Sequence, residues 1–131
     1  MKGIIKKIMN ILKNARRIVV KIGSSTLTYD NGRMNLQRIE KIARVLSDFA
    51  NSGRDVVLVT SGAIAAGTAR LGLDHRPQAA EERQAMAAVG QSELMKIYDQ
   101  FFGMYGRAVG QVLLTRGTVE QEASRRNAEN T

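Results

Sequence analysis

Three short strings of small or hydroxyl-bearing residues, Gly23-Ser24-Ser25, Ser61-Gly62-Ala63 and Thr115-Arg116-Gly117, each follow an apolar run. The first two combine glycine with serine, which lets backbone N–H groups approach an anion. The second also opens a helix, whose N-terminal dipole favours negative charge. Side by side they suit a phosphate and a carboxylate; taken singly, each is also the ordinary turn chemistry of Gly and Ser after a strand. Lys21 stands in the apolar run 18–22, where a charge is costly unless an anion meets it, or else it reaches solvent from the strand's end. The combination points to electrostatic stabilisation of a transferring phosphoryl group by backbone amides and Lys21, without a covalent nucleophile. Neither a G-x-x-x-x-G-K-[ST] string nor a G-x-G-x-x-G fingerprint after the first strand is present.

The composition narrows the chemistry further. The 131 residues contain no Cys and one His, which excludes a disulfide scaffold, a thiolate zinc site, a cysteine nucleophile and a histidine metal cluster. With 44% hydrophobic and 24% charged residues, the chain reads as one globular domain of ordinary size. The formal charge is +8, of which Lys2, Lys6, Lys7, Lys13, Arg16 and Arg17 supply six. The rest is nearly balanced, so nucleic acid is not the expected partner. Residues 1–14 place Ile4, Ile5, Ile8, Ile11 and Leu12 at helical spacing with lysines opposite. That basic amphipathic extension, taken as residues 1–16, fits packing on the body or on a second subunit better than a membrane surface. It has no small-residue cleavage site, and the expected location is cytoplasmic.

The elements that must position these residues alternate. A β-branched run at 18–22 predicts a strand, Tyr29-Asp30-Asn31-Gly32 a turn, and Asn35 caps a helix with Leu36, Ile39, Ile42, Ala43 and Leu46 on one face. A second apolar run at 56–60 completes a βαβ unit, so the strands are expected to be parallel and buried. A small-residue helix follows from Ala63, then a long helical region over 80–105 interrupted at Gly90, a third strand over 108–115, and a helical tail from Glu120. The fold class is α/β, with helices covering a mainly parallel sheet. His75 reads as a surface residue, Met34, Met86, Met95 and Met104 as core filler, and Arg116, Arg125 and Arg126 as phosphate contacts or solvated charges.

The strings Val19-Val20-Lys21-Ile22-Gly23-Ser24-Ser25, Val59-Thr60-Ser61-Gly62-Ala63-Ile64-Ala65-Ala66-Gly67, Ala87-Ala88-Val89-Gly90-Gln91 and Gly110-Gln111-Val112-Leu113-Leu114-Thr115-Arg116 closely resemble the amino-acid kinase superfamily. Within it they resemble the glutamate 5-kinase (γ-glutamyl kinase) branch, over residues 17–131. The resemblance implies a three-layer αβα sandwich and ATP- and Mg²⁺-dependent phosphorylation of the side-chain carboxylate of L-glutamate, the first step of proline synthesis. It assigns Lys21 to the transferring phosphate as the catalytic residue, Gly23 and Ser24 to the phosphate-facing loop, and Ser61, Gly62 and Ala63 to glutamate. It also implies a homo-oligomer. Family members continue past residue 131 into a nucleotide-binding half, so the expectation is a truncated, acceptor-side domain with an exposed sheet edge and little or no turnover by itself. Thr118, Arg125 and Arg126 depart from the family pattern. An acetylglutamate or carbamate kinase relative and a non-catalytic glutamate- or polyanion-binding module are the alternatives.

Overall fold

The computed structural model describes residues 14–75 and 77–131; the amphipathic stripe expected near the N-terminus lies outside them. β-Branched residues pack well on a pleated surface, and their run forms strand β1 (Arg17–Ile22). A single helical turn, α1 (Ser24–Leu27), follows. The expected turn closes with the Gly32 N–H donating to the Tyr29 carbonyl at 2.9 Å. Helix α2 (Leu36–Asn51) then begins as its sequence predicts, with the Asn35 side chain accepting from the Arg38 N–H at 3.0 Å. Strand β2 (Asp55–Thr60) lies parallel to β1, with Val19 opposite Val57 and Lys21 opposite Val59. Helices α3 (Ala63–Arg70), α4 (Ala80–Gly103), α5 (Arg116–Glu120) and α6 (Glu122–Asn130) complete the order. The βαβ unit and parallel pairing of an α/β fold are both present.

Two expected elements differ. Helix α4 runs through Gly90 without a break, because the missing side chain serves a helix crossing rather than a turn. Residues 108–115 form no strand, and the sheet has two strands among the described residues. An extended segment needs a neighbouring edge to take its N–H and C=O groups. Here β1 and β2 pair only with each other, and Leu113 stands 69% exposed.

Parallel partners share a face of the sheet. Ile18, Val20 and Ile22, with Val56, Leu58 and Thr60, therefore point one way, and Val19, Lys21, Val57 and Val59 the other. The first face meets the helices. Ile22, Leu27, Ile39, Ala66, Leu94 and Tyr98 form the buried cluster, with Val20 and Leu58 packed against it. Among the described residues the second face is open, with Val19 61% exposed. The continuous apolar runs predict burial on both sides, and among the described residues only one side is covered; Lys21 is accordingly exposed, not buried. Met34 packs against the core, whereas Met104 lies on the surface.

The far end of α4 is tied to α2 where the Tyr105 hydroxyl donates to Glu40 Oε1 at 2.5 Å. That hydrogen bond pushes the Tyr105 phenol above its ordinary 10.0. Burial does the same to Tyr98. A phenol whose folded-state pKa is raised holds its stabilisation below the ordinary value and loses it as pH climbs through the raised one. Urea midpoints measured from about pH 8 to about pH 11.5 are expected to fall at the alkaline end, and Tyr105→Phe is expected to flatten that fall. In the same assay, Leu94→Ala in the closed core is expected to cost about 2–5 kcal/mol. Val57→Thr on the open face is expected to stay within about 0.5 kcal/mol.

Candidate functional site

In open parallel sheets, ligands gather beyond the carboxyl ends of the strands. At the end of β1, Gly23 caps α1, and its carbonyl accepts from the Thr26 N–H at 3.1 Å. At the end of β2, the chain turns through Ser61 and Gly62 into α3. The Ser61 N–H donates to the Ile22 carbonyl at 3.2 Å, and Ser61 Oγ donates to the same oxygen at 3.4 Å. This brings the first two candidate loops together. Gly62 has φ +120°, a conformation that side chains disfavour, and a Cβ there would sit 3.2 Å from Leu27 Cδ1. Gly23 differs. Its φ is −83°, and a Cβ there would meet only Ser25 Oγ, at 4.0 Å. The chain's own packing does not demand glycine at 23, and the space before it is open to a ligand atom.

Lys21 leaves the uncovered face of the sheet two residues before Gly23. Ser24, Ser25 and Ser61 are exposed, and Gly62 and Ala63 half-buried. The third string does not join them. Thr115 instead opens α5 in a reciprocal cap with Thr118, so one of the residues that depart from the family pattern has a structural use. The Arg116 guanidinium donates to Glu120 at 2.6 Å, and Arg126 and Arg125 face Glu122 and Glu129 at 2.7 and 3.8 Å. All three are solvated pairs of small energetic consequence. His75 is on the surface as expected, and its Nδ1 lies 3.0 Å from Asp74 Oδ1. That hydrogen bond is the main reason the Asp74 carboxyl is held below its ordinary value.

Two further glycines determine where the second loop sits. Helices α3 and α4 cross with their backbones in contact. A Cβ on Gly67 would lie 2.0 Å from the Met86 carbonyl oxygen, and one on Gly90 only 1.7 Å from that of Ala63. No side chain fits at either position, and the crossing holds the first turn of α3 against α4. Thr60, Ser61, Gly62, Ala63, Gln91 and Val112 all line one open cleft of about 2220 Å³. A small-ligand pocket holds about 300–1,000 Å³, so the cleft is an uncovered flank with the candidate loops on its wall rather than a closed site.

Sequence reasoning left out Tyr98 and Thr60. The Tyr98 hydroxyl lies 2.7 Å from Thr60 Oγ1, directly behind Ser61. The available signal was a tyrosine at helical spacing from Leu94, which by itself reads as core. The donor set at the loops consists of hydroxyls and amides. Among the described residues no three His, Cys, Asp or Glu side chains gather. A magnesium ion asks for carboxylate or phosphate oxygens, and the residues present do not fit a protein-held one. Among the described residues no helix is long and apolar enough to cross a membrane.

The chain matches the amino acid kinase family model over residues 16–131. It is 56% identical over 120 residues to a protein of Clostridium perfringens named glutamate 5-kinase, covering 92% of this chain and 45% of that one. It is 57% identical over 120 residues to the glutamate 5-kinase of Listeria innocua, with 92% and 44% covered. For that of Enterococcus faecalis the identity is 50% over 122 residues, with 93% and 45% covered. The chain thus spans a little under half the length of the curated relatives it matches.

Gly67→Ala and Gly90→Ala are each expected to destabilise at or beyond the upper end of the about 1–3 kcal/mol that overpacking costs. Gly110→Ala, where an added Cβ meets nothing within 4 Å, is expected to change little. Urea unfolding of the three variants checks the contrast.

Proposed function

The chain belongs to the amino acid kinase family, and on that footing we propose that it forms the acceptor side of a glutamate 5-kinase. The observation that carries the reading is the joining of two small-residue loops at the carboxyl ends of parallel strands, through the Ser61 N–H and the Ile22 carbonyl. The names of the relatives support L-glutamate as the acceptor. L-Glutamate would lie against Ser61, Gly62 and Ala63, its carboxylate facing amides at the start of α3, where unpaired N–H groups and the helix dipole favour an anion. The transferring phosphate would face Gly23 and Ser24, whose open approach suits it. Lys21, solvent-exposed and free to swing, would meet the charge that spreads over the phosphoryl oxygens.

In the whole enzyme, MgATP supplies the phosphoryl group. A side-chain carboxylate oxygen of glutamate forms the new P–O bond while the bond to the departing ADP oxygen breaks, yielding glutamyl 5-phosphate and ADP. The residues of this chain contribute orientation and charge, which is most of what such a transfer asks of a protein. The uncovered face bearing Val19, Val57 and Val59 fits a three-layer sandwich in which a further helical layer would lie over the sheet. The nucleotide would be held chiefly by the part of the relatives that this chain does not span.

Isothermal titration of the purified 131-residue chain is expected to give a binding isotherm with L-glutamate and none with MgATP. Hydroxamate trapping is expected to detect no glutamyl phosphate from these residues alone. MgATP binding without glutamate binding would reverse the assignment of the half-sites. In the whole enzyme, Lys21→Ala is expected to lower kcat by about 10²–10³-fold with a smaller change in the KM for glutamate. A loss confined to KM would remove Lys21 from the phosphoryl centre.

A further inference from the structure

We propose that Tyr98 is a positioning residue for the Ser61-Gly62-Ala63 loop, acting through the Thr60 hydroxyl; its consequence for glutamate rests on the reading above. Tyr98 projects from α4 into the core and is 2% exposed, so its hydroxyl needs a partner inside the protein. That partner is Thr60 Oγ1 at 2.7 Å. Thr60 Oγ1 also donates to the Ser61 carbonyl at 3.1 Å. A threonine hydroxyl has a single proton and a carbonyl can only accept. The direction is therefore set: Tyr98 donates to Thr60, and Thr60 donates to Ser61.

The relay ends on the peptide group that joins Ser61 to Gly62. The preceding peptide is fixed from the other side by the Ser61 N–H on the Ile22 carbonyl. The loop is thus gripped between β1 and α4 just before the chain turns at Gly62 into α3. Polar relays of this kind strengthen one another in a low-dielectric setting. Removing the phenol oxygen would leave the ring's packing, including its tilted contact with Phe102 at 6.1 Å, and would release Thr60 to rotate. The loop would loosen while the core held.

Amide hydrogen exchange, followed by NMR on the full 131-residue chain without any ligand, tests this. In Tyr98→Phe, exchange at the Ser61 amide, which is bonded to the Ile22 carbonyl, is expected to accelerate about tenfold or more, while Ile39 and Ala43 in α2 keep their rates. Thr60→Val is expected to do the same, and Thr60→Ser, which keeps the hydroxyl, to preserve protection at Ser61. Uniform acceleration at all sites, or no selective change at Ser61 in either Tyr98→Phe or Thr60→Val, would overturn the proposal. The Thr60 pair decides the matter even if Tyr98→Phe fails to fold. Titration with L-glutamate is then expected to give a Kd weaker by about tenfold in Tyr98→Phe. Failure of the unaltered chain to bind glutamate would count against the substrate reading, and the exchange result would still judge the relay.

Discussion

The backbone contact between Gly67 of α3 and Gly90 of α4 is the constraint on which the other features depend. Carbonyl oxygens occupy the places where both Cβ atoms would stand, so the two helices approach more closely than any side chain permits. That approach fixes α4 across the end of the sheet. It brings Leu94 and Tyr98 onto Ile22, Leu27, Ile39 and Ala66 and closes the buried cluster. With one sheet face uncovered among the described residues, this small cluster must supply much of their stability. The glycine pair thus supports the core and the site at once.

The loop entering α3 is held in successive places by different elements. Tyr98 reaches Thr60 from α4, the Ile22 carbonyl of β1 holds Ser61, Leu27 of α1 lies against Gly62, and Gly90 lies beneath the Ala63 carbonyl. The candidate acceptor loop is therefore built from rigid neighbours, and positioning is the main contribution a protein makes to phosphoryl transfer. The loop after β1 is different in kind. Gly23 has ordinary backbone angles and open space before it, and Lys21 stands exposed on the face that no other described residue covers. One loop is organised within the chain, while the other presents groups outward.

Much of this was legible in the residues. The βαβ unit, the Asn35 cap and the pairing of two small-residue loops at strand ends follow from β-branched runs, apolar spacing and glycine placement, which are local signals. Four features were not legible, each because tertiary context decided it. Gly90 reads as a break within a helix, yet it is a close-packing position because Gly67, distant in sequence, lies opposite. Residues 108–115 have strand composition, but neither β1 nor β2 pairs with them. Lys21 sits in a run that reads as buried on both faces, and one of those faces has no cover among the described residues. Tyr98 went unrecognised because a buried tyrosine's function lies in its hydroxyl's partner, which spacing alone cannot supply.

The most direct test of whether the gripped loop is the acceptor site is a two-dimensional ¹H–¹⁵N NMR map of the folded chain as L-glutamate is added. The expected result is a set of shifts concentrated at Ser61, Gly62 and Ala63, with smaller ones at Gly23 and Ser24 and little change in α2, α5 and α6. Saturable shifts centred elsewhere on a folded chain, with the 61–63 amides unmoved, would contradict the assignment of this loop to glutamate.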